Sequence, residues 1–592
     1  MTLWFFRPVY TAVLILSLLA SCATQGRKHI IFLETTDIHG VILPYDYVEK
    51  EDLNASLASS HTYIKKLRKG QEAVVLLDNG DNLQGQPAVY YYNFVDTVSP
   101  HLLAEAMNYM EYDAVTAGNH DIETGHAVYD RLVKEYKFPV LAANAVDIKT
   151  GAPYFKPYTI IVKDGIRIAV LGMVTPSIHN TLPHELYEGI EFRDMNETAG
   201  KWMPVIKAES PDLIIGLFHA GWDDPDSDSG SSGSHPEEGI RSIAYNIPGF
   251  DIIFTGHDHK VANEKIINAS GDTVLIMNGG SHSVNIARAD VILEKDKSTH
   301  KYRKSYTGNI IRMSENKPDS DFVEKFAKNH EAISAYVDEV IGTSSETIRS
   351  RDAYFGSSAF VDMIHSLQLE ITGADISFAA PLSFDVKISE GPVTVGDMFK
   401  LYRFENMLYT ISMSGLEIDK YLEYSYSGWL NTITGPDDRL LKFRTDKEGK
   451  TILKDGKAWL KNPAYNFDSA AGIDYIVDVS KPEGSRITIK GFSDGSSFDQ
   501  NKTYVVAVNS YRGNGGGGHF SSGVGLDKDE MTSRIIKSTE RDLRYYMIEA
   551  IRKKKAIAPV KLNNWKIIPE NIVIEASERD YELLFGEKNK IQ

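Results

Sequence analysis

"AVTAGNHDIETG", Ala114–Gly125, leaves a short apolar run and then spends consecutive positions on a glycine, an amide, an imidazole and a carboxylate: Gly118, Asn119, His120 and Asp121. A surface turn accounts for the glycine and the amide but not for the two residues after them. The same habit recurs along the first half of the chain. "IIFLETTD" (30–37), "AVVLLDNGD" (73–81), "IRIAVLGMVT" (166–175), "DLIIGLFHAG" (212–221) and "DIIFTGHDH" (251–259) each run apolar and then give way to Gly, Asp, Asn, Thr or His. Four to six aliphatic or β-branched residues suit a strand buried on both faces, as in a parallel sheet covered by helices. The fold class expected is α/β, with an N-terminal layered domain whose functional groups sit on the loops after its strands.

At 592 residues the chain exceeds what one core supports, so two domains are expected. A content of 42% hydrophobic and 24% charged residues excludes a disordered or multi-spanning chain. The formal net charge of −17 argues against polymeric nucleic acid as a partner, while a local basic pocket for one phosphate stays compatible with it. No motif indicates an obligate protein partner.

The N-terminus reads as a targeting segment. Arg7 precedes "TAVLILSLLA", Thr11–Ala20, an apolar run too short to span a bilayer and suited to a signal-peptide core. It ends in "LASC", Leu19–Cys22, and Cys22 is the only cysteine. This resembles a bacterial lipobox, which implies removal of residues 1–21, lipidation of Cys22, and an exported protein anchored to the cell envelope on its periplasmic or surface face. With one cysteine there is no disulfide, and stability must come from the cores.

The expected domains are 22–318, a helix across 319–341 with apolar residues at helical spacing, a second domain over 342–556, and a tail over 557–592. "DDPDSDSGSSGSH", 223–235, reads as a solvent-exposed insertion after the His219 joint.

Collected, the joint residues are Asp37 and His39 in "DIHG", Asp81 in "DNGDNLQG", Asn119 and His120 in "GNHD", His219 in "LFHAG", and His257 and His259 in "GHDH". Carboxylate, imidazole and amide oxygen together suit borderline divalent ions such as Zn, Mn or Fe. Eight side chains are too many for one centre, and a carboxylate between two ions would bridge them, the arrangement that clamps a phosphoryl group. In this order the motifs resemble the calcineurin-like metallophosphoesterase superfamily. The resemblance implies that Asp37, His39, Asp81 and His259 hold one ion. It gives Asp81, Asn119, His219 and His257 to the other, and leaves His120 to act on the phosphoester. In the nucleotidase branch this histidine pairs with an Asp three positions on, where this chain has Glu123, a carboxylate on a longer arm.

The second half narrows the substrate. "TGADISFAAPLSF" (372–384), "GPVTVGDMFKLYRFENMLYTISMSG" (391–415), "YNFDSAAGIDYIVDVSKPEGSRI" (465–487) and "VAVNSYRGNGGGGHF" (506–520) resemble the C-terminal domain of 5′-nucleotidases, an α+β nucleotide-binding domain. The wording is nearest to the 2′,3′-cyclic-nucleotide 2′-phosphodiesterase/3′-nucleotidase branch. That implies a nucleotide substrate whose base is sandwiched by two aromatic rings, here Tyr465 and Tyr511. Where 5′-nucleotidases carry Asn-Gly-Gly-x-Arg, this chain has "AAPLSFDVK", 379–387, without the arginine; Arg403 and Arg512 are the remaining cations for that role. The function expected is a two-metal hydrolase of cyclic and 3′-nucleotides. A 5′-nucleotidase or UDP-sugar hydrolase is the alternative within the class, and an inactive tethered binding protein the alternative outside it.

Overall fold

The structure is a computed structural model and describes residues 27–222, 239–299, 301–435 and 437–586. Cys22, the segment before it and the 223–235 insertion lie outside the described residues. Among those described, no helix is long and apolar enough to cross a membrane.

Alternation along each strand feeds two cores at once. In strand Arg27–Thr35, Ile30 and Phe32 face one way and Ile31 and Leu33 the other, and all four are fully buried. Ile30 and Phe32 meet Val75, Leu77, Ile168, Ile215 and Phe254 between two six-stranded sheets. Ile31 and Leu33 pack outward with Leu57, Ile64 and Met107, from helices Leu57–Lys69 and Leu102–Tyr109. On the far side, Leu171, Met173 and Ile253 meet Met203 of helix Met195–Ala208 and Ile243 of helix Ile240–Asn246. The result is helix, sheet, sheet, helix. Each such side chain contributes roughly 1.5–3 kcal/mol by leaving water, so the inner strands are apolar on both faces because both faces are covered.

The first sheet runs in the order Tyr302–Arg312, Asn285–Lys295, Arg27–Thr35, Ala73–Asp78, Ala114–Thr116, Val140–Leu141, and its last four strands are parallel. The second sheet runs Ala262–Ile267, Thr273–Asn278, Ile252–Thr255, Leu213–His219, Ile166–Val174, Tyr158–Lys163, with its middle four strands parallel. Parallel strands put their carboxyl ends on one edge, which collects the joints of both sheets there.

The segment 319–341 is two helices, Ser320–Lys325 and Ala327–Asp338, broken at Phe326 with φ −102° and ψ 15°. Asp319 caps the first by accepting from the Phe322 amide at 3.0 Å. Phe322, Phe326, Ile333 and Val337 bury into the first domain's outer core, so this segment is fastened to that domain along its length. The chain leaves it at strand Val340–Ser344, which pairs with Gly391–Thr394 and Ala556–Ile557.

The second domain has a five-stranded sheet ordered Ser469–Ala471, Ile376–Ala379, Thr503–Asn509, Leu408–Ser414, Ile535–Ser538. The last stretch of the chain is no loose tail. Strand Trp565–Ile568 adds in parallel to Ile473–Asp478, and helix Glu570–Phe585 buries Tyr581, Leu584 and Phe585 in the core that holds Trp429 and Tyr426. Its partners lie far back along the chain, so local pattern does not announce this in sequence.

Candidate metal centre

Five joints converge on the shared edge. Asp37 and His39 follow Arg27–Thr35, Asp81 follows Ala73–Asp78, Asn119 opens the short helix Asn119–Ile122 after Ala114–Thr116, His219 ends its strand, and His257 and His259 follow Ile252–Thr255. Asp37, His39 and His259 present ligand atoms all within 4.8 Å of one another, and so do Asp81, His219 and His257. Non-glycine backbone in the left-handed region gathers here, at Asp37, His39, Asp81, His257, His259 and His282, with φ between 49° and 71°. L-residues adopt that region at a cost, and such residues cluster where function aims a side chain.

Hydrogen bonds behind the imidazoles decide which nitrogen faces the centre. His39 Nδ1 lies 3.0 Å from the Gln84 carbonyl and His219 Nδ1 lies 2.6 Å from the Asn79 carbonyl. A carbonyl only accepts, so both Nδ1 atoms carry a proton and both Nε2 atoms face inward; burial disfavours charge on His219 but Asp81 raises it to about 9, so its Nε2 holds a proton that a bound ion would displace. His39 Nε2 then meets His259 Nε2 at 3.0 Å, and His219 Nε2 lies 3.1 Å from both Asp81 Oδ2 and Asn119 Oδ1. Inward nitrogens and carboxylates aimed at common points, with the far sides of His39 and His219 tied to the backbone, form donor sets that fit divalent metal.

The electrostatics agree. Burial, reinforced by the charge of His120, pushes His39 down to about 3, and burial with His219 pushes His257 down to about 4, so both are neutral. Burial acts against charge on Asp81, but His219 and His120 outweigh it and keep its carboxyl well below the usual range.

The "GNHD" motif divides its labour. Gly118 has φ −99° and ψ 171°, ordinary extended backbone, so it is not there to turn the chain as its place before the motif suggests. A Cβ on it would lie 2.2 Å from Asp81 Oδ1. Glycine is required because the two loops touch backbone to backbone. Asp121, given no role by the sequence reading, accepts from four amides: Gly118 at 2.8 Å, Asp81 at 3.0 Å, Asn82 at 2.9 Å and Leu83 at 3.1 Å. It staples the Asp81 loop to the Asn119 loop. His120 donates its amide to Asp81 Oδ1 at 2.8 Å, and its Nδ1 lies 2.5 Å from Glu123 Oε2. The longer arm therefore reaches. Burial disfavours charge on His120, but Asp81 and then Glu123 raise it to about 10.

The second domain meets this edge through the loop after helix Val395–Leu401. Gln84 Nε2, on the residue whose carbonyl orients His39, donates to the Arg403 carbonyl at 3.5 Å. Phe404 follows, edge-on to Tyr465 at 5.8 Å between centroids and 81° between planes. Tyr465 meets Tyr511 at 6.3 Å and 87°, so these two rings do not face each other as a sandwich would require. Both Phe404 and Tyr511 stand nearly perpendicular to Tyr465, so Tyr465 meets both others in a three-ring box. Phe404, in an unremarkable "YRFEN", was not singled out by the sequence.

Arg512 is not a free cation for substrate. It is buried, pairs with both oxygens of Asp468 at 3.0 and 2.9 Å, and donates to the Tyr465 carbonyl at 2.7 Å and the Gly516 carbonyl at 2.7 Å. Its role is to hold the Tyr465 loop against the glycine cluster. A Cβ on Gly516 would lie 2.5 Å from the Tyr511 ring, so glycine there lets that ring lie flat on the backbone.

Comparison with known proteins agrees with this architecture. Residues 30–261 match the model of the calcineurin-like phosphoesterase family, and the fold and site together define a phosphoester hydrolase of that class. Residues 340–522 match the 5′-nucleotidase C-terminal domain. The chain thus carries both domains, one after the other. It is 26% identical to the trifunctional nucleotide phosphoesterase protein YfkN of Bacillus subtilis (strain 168) over 96% of its own length, and spans 42% of that longer relative. To the 2′,3′-cyclic-nucleotide 2′-phosphodiesterase/3′-nucleotidase of Yersinia enterocolitica it is 24% identical, over 96% of this chain and 92% of that one. A Staphylococcus aureus protein solved in complex with alpha-ketoglutarate shares the fold with a TM-score of 0.72 and 19% identity, over 91% of this chain and 100% of that one.

Proposed function

We propose that this protein hydrolyses nucleotides with two divalent ions, opening 2′,3′-cyclic nucleotides and then removing the 3′-phosphate. The observation that carries the reading is the pair of converging donor sets, Asp37, His39 and His259 beside Asp81, His219 and His257, with His120–Glu123 at their rim. Asp37, His39 and His259 would hold one ion and Asn119, His219 and His257 the other, with Asp81 available to both. Ions of the Zn, Mn or Fe kind would supply positive charge for the phosphoryl oxygens and acidify water toward a pKa near 7.

The chain's own residues do the rest. Water adds to phosphorus as the P–O2′ bond breaks, and His120 gives its Nε2 proton to the departing oxygen. Glu123 holds the other nitrogen and keeps the ring oriented and charged until that transfer. Phe404, Tyr465 and Tyr511 receive the base, an attraction of about 1–3 kcal/mol per stacked base that tolerates any base. The second reading is a 5′-nucleotidase or nucleotide-sugar hydrolase, favoured by the match to the 5′-nucleotidase C-terminal domain. An inactive binding protein has against it that every ligand position is filled and convergent.

We also propose export and a lipid on Cys22, supported by "LASC" at Leu19–Cys22. Mass spectrometry of the membrane-extracted protein tests it: an unmodified N-terminus before residue 22 would refute it. Initial rates of phosphate release from 3′-AMP, 5′-AMP, UDP-glucose and 2′,3′-cyclic AMP, the last with a helper phosphatase, decide between the two enzymatic readings.

A further inference from the structure

His282 lies in the turn between strands Thr273–Asn278 and Asn285–Lys295, on the rim of the first donor set. Its ring centroid is 5.1 Å from that of His39 and 5.8 Å from that of His259, close to the 4.9 Å between those two rings. Yet it is not among the three residues whose ligand atoms share one centre. It stands beside the ion position, not on it.

The backbone aims it there. His282 and Ser283 are consecutive left-handed residues, with φ 57° and 55°. The turn is tied down by the His282 amide on the Asp37 carbonyl at 2.8 Å and the Val284 amide on the Ser281 carbonyl at 3.2 Å. Two adjacent non-glycine residues hold that conformation only where their surroundings over-determine it. Nδ1 lies 2.8 Å from Ser281 Oγ. With Nδ1 engaged by the Ser281 hydroxyl, Nε2 is the ring nitrogen left without a hydrogen-bond partner among the described residues, and the residue is exposed. Arg403 of the second domain lies near enough for its charge to act on the ring. Among the described residues, the one hydrogen bond of Arg403 is through its carbonyl, to Gln84, and its guanidinium has no ion pair. A ring nitrogen without a hydrogen-bond partner, and nearby a guanidinium that meets the Phe404 ring at 5.8 Å but has no ion pair among the described residues, suit a phosphoryl group beside the first donor set.

We infer that His282 is a substrate-binding residue, its Nε2–H donating to a non-bridging phosphoryl oxygen on the side of Asp37, His39 and His259. The inference rests on the phosphohydrolase reading above but not on nucleotide preference.

The test uses the full chain loaded with Mn²⁺, and compares wild type, His282→Ala and His282→Gln. Metal content, thermal midpoint, kcat/KM for p-nitrophenyl phosphate and calorimetric affinity for inorganic phosphate are measured. Losing one hydrogen bond to an ionised group predicts a roughly 10- to 100-fold fall in kcat/KM and a similar weakening of phosphate binding in His282→Ala. Metal content and thermal midpoint stay unchanged, and His282→Gln, which keeps an N–H near the Nε2 position, recovers most of both. Unchanged phosphate affinity in His282→Ala overturns the inference. So does loss of a metal equivalent, which would make His282 a ligand. Wild type that turns over p-nitrophenyl phosphate but no nucleotide sinks the nucleotide reading and leaves this inference standing on the phosphate measurements.

Discussion

Glu123 Oε2 lies 2.5 Å from His120 Nδ1, with only 10% of the Glu123 side chain exposed. A carboxylate in this position orients the ring, holds a proton on Nδ1, and favours the imidazolium, in which Nε2 carries a second proton. Glu123→Gln keeps the length and loses the charge, so it is expected to lower kcat by about 10- to 100-fold with KM little changed; His120→Ala should lose about 10²–10⁴-fold, the range of general acid catalysis. Steady-state kinetics on 3′-AMP measure both. Equal activity in Glu123→Gln and wild type would remove Glu123 from the mechanism.

Gly118 and Asp121 act on the site through the backbone. Gly118→Ala places a methyl 2.2 Å from Asp81 Oδ1, so Asp81 must move. The expected result is loss of metal with the fold retained, read by metal content and circular dichroism. Asp121→Ala strands four buried amides of two loops. Each buried unsatisfied group costs about 1–3 kcal/mol, and relaxation and water recover part of the sum. A fall in stability of at least ~2 kcal/mol by urea titration is expected.

Phe404→Ala separates base recognition from phosphate chemistry. KM for 3′-AMP should rise about 5- to 100-fold, the worth of one stacked base, while turnover of p-nitrophenyl phosphate stays as it was. A matching loss on both substrates would place Phe404 in the fold and not in the base box.

Glu405, beside Phe404, gives stability a pH signature. It is 4% exposed, neither of its oxygens has a hydrogen-bond partner, and Arg544 at 3.7 Å is too far for a charge-assisted bond. Burial therefore prevails over Arg544 and pushes the carboxyl up to about 8. A folded value above the unfolded one means that the folded state binds the proton more tightly. Stability from this group is lost as pH climbs from the unfolded carboxylate range, near 4.3, through 8. Glu405→Gln never ionises, so its thermal midpoint relative to wild type should improve from pH 5 to pH 8.5. A constant difference across that range would show that Glu405 is ionised throughout.

The residues proposed as ligands were legible because parallel strands covered on both faces read as apolar runs, and the residues that break those runs are the ones the fold gathers at one edge. Asp37, His39, Asp81, Asn119, His219, His257 and His259 all carry that signature. Phe404 does not, since its box partner Tyr465 is distant in sequence and only the fold brings them together. Arg512 looked like a cation beside a glycine cluster, and only the position of Asp468 shows that its charge is already engaged. His282 follows a strand as the other joint residues do, but Gly279, Gly280 and Ser281 intervene and blur the pattern. The terminal strand Trp565–Ile568 pairs with Ile473–Asp478 across a long stretch of chain, a contact that local pattern cannot announce.

The measurement that bears most directly on the central claim is the rate of phosphate release by metal-stripped full-length protein, titrated with Mn²⁺ or Zn²⁺, on 2′,3′-cyclic AMP with helper phosphatase, 3′-AMP and 5′-AMP. The account requires activity that is absent without metal, saturates near two ions per chain, and favours the cyclic and 3′ substrates. Metal-independent turnover, or saturation at one ion, would contradict the two-ion site; a preference for 5′-AMP would keep that site and overturn the substrate assigned to it.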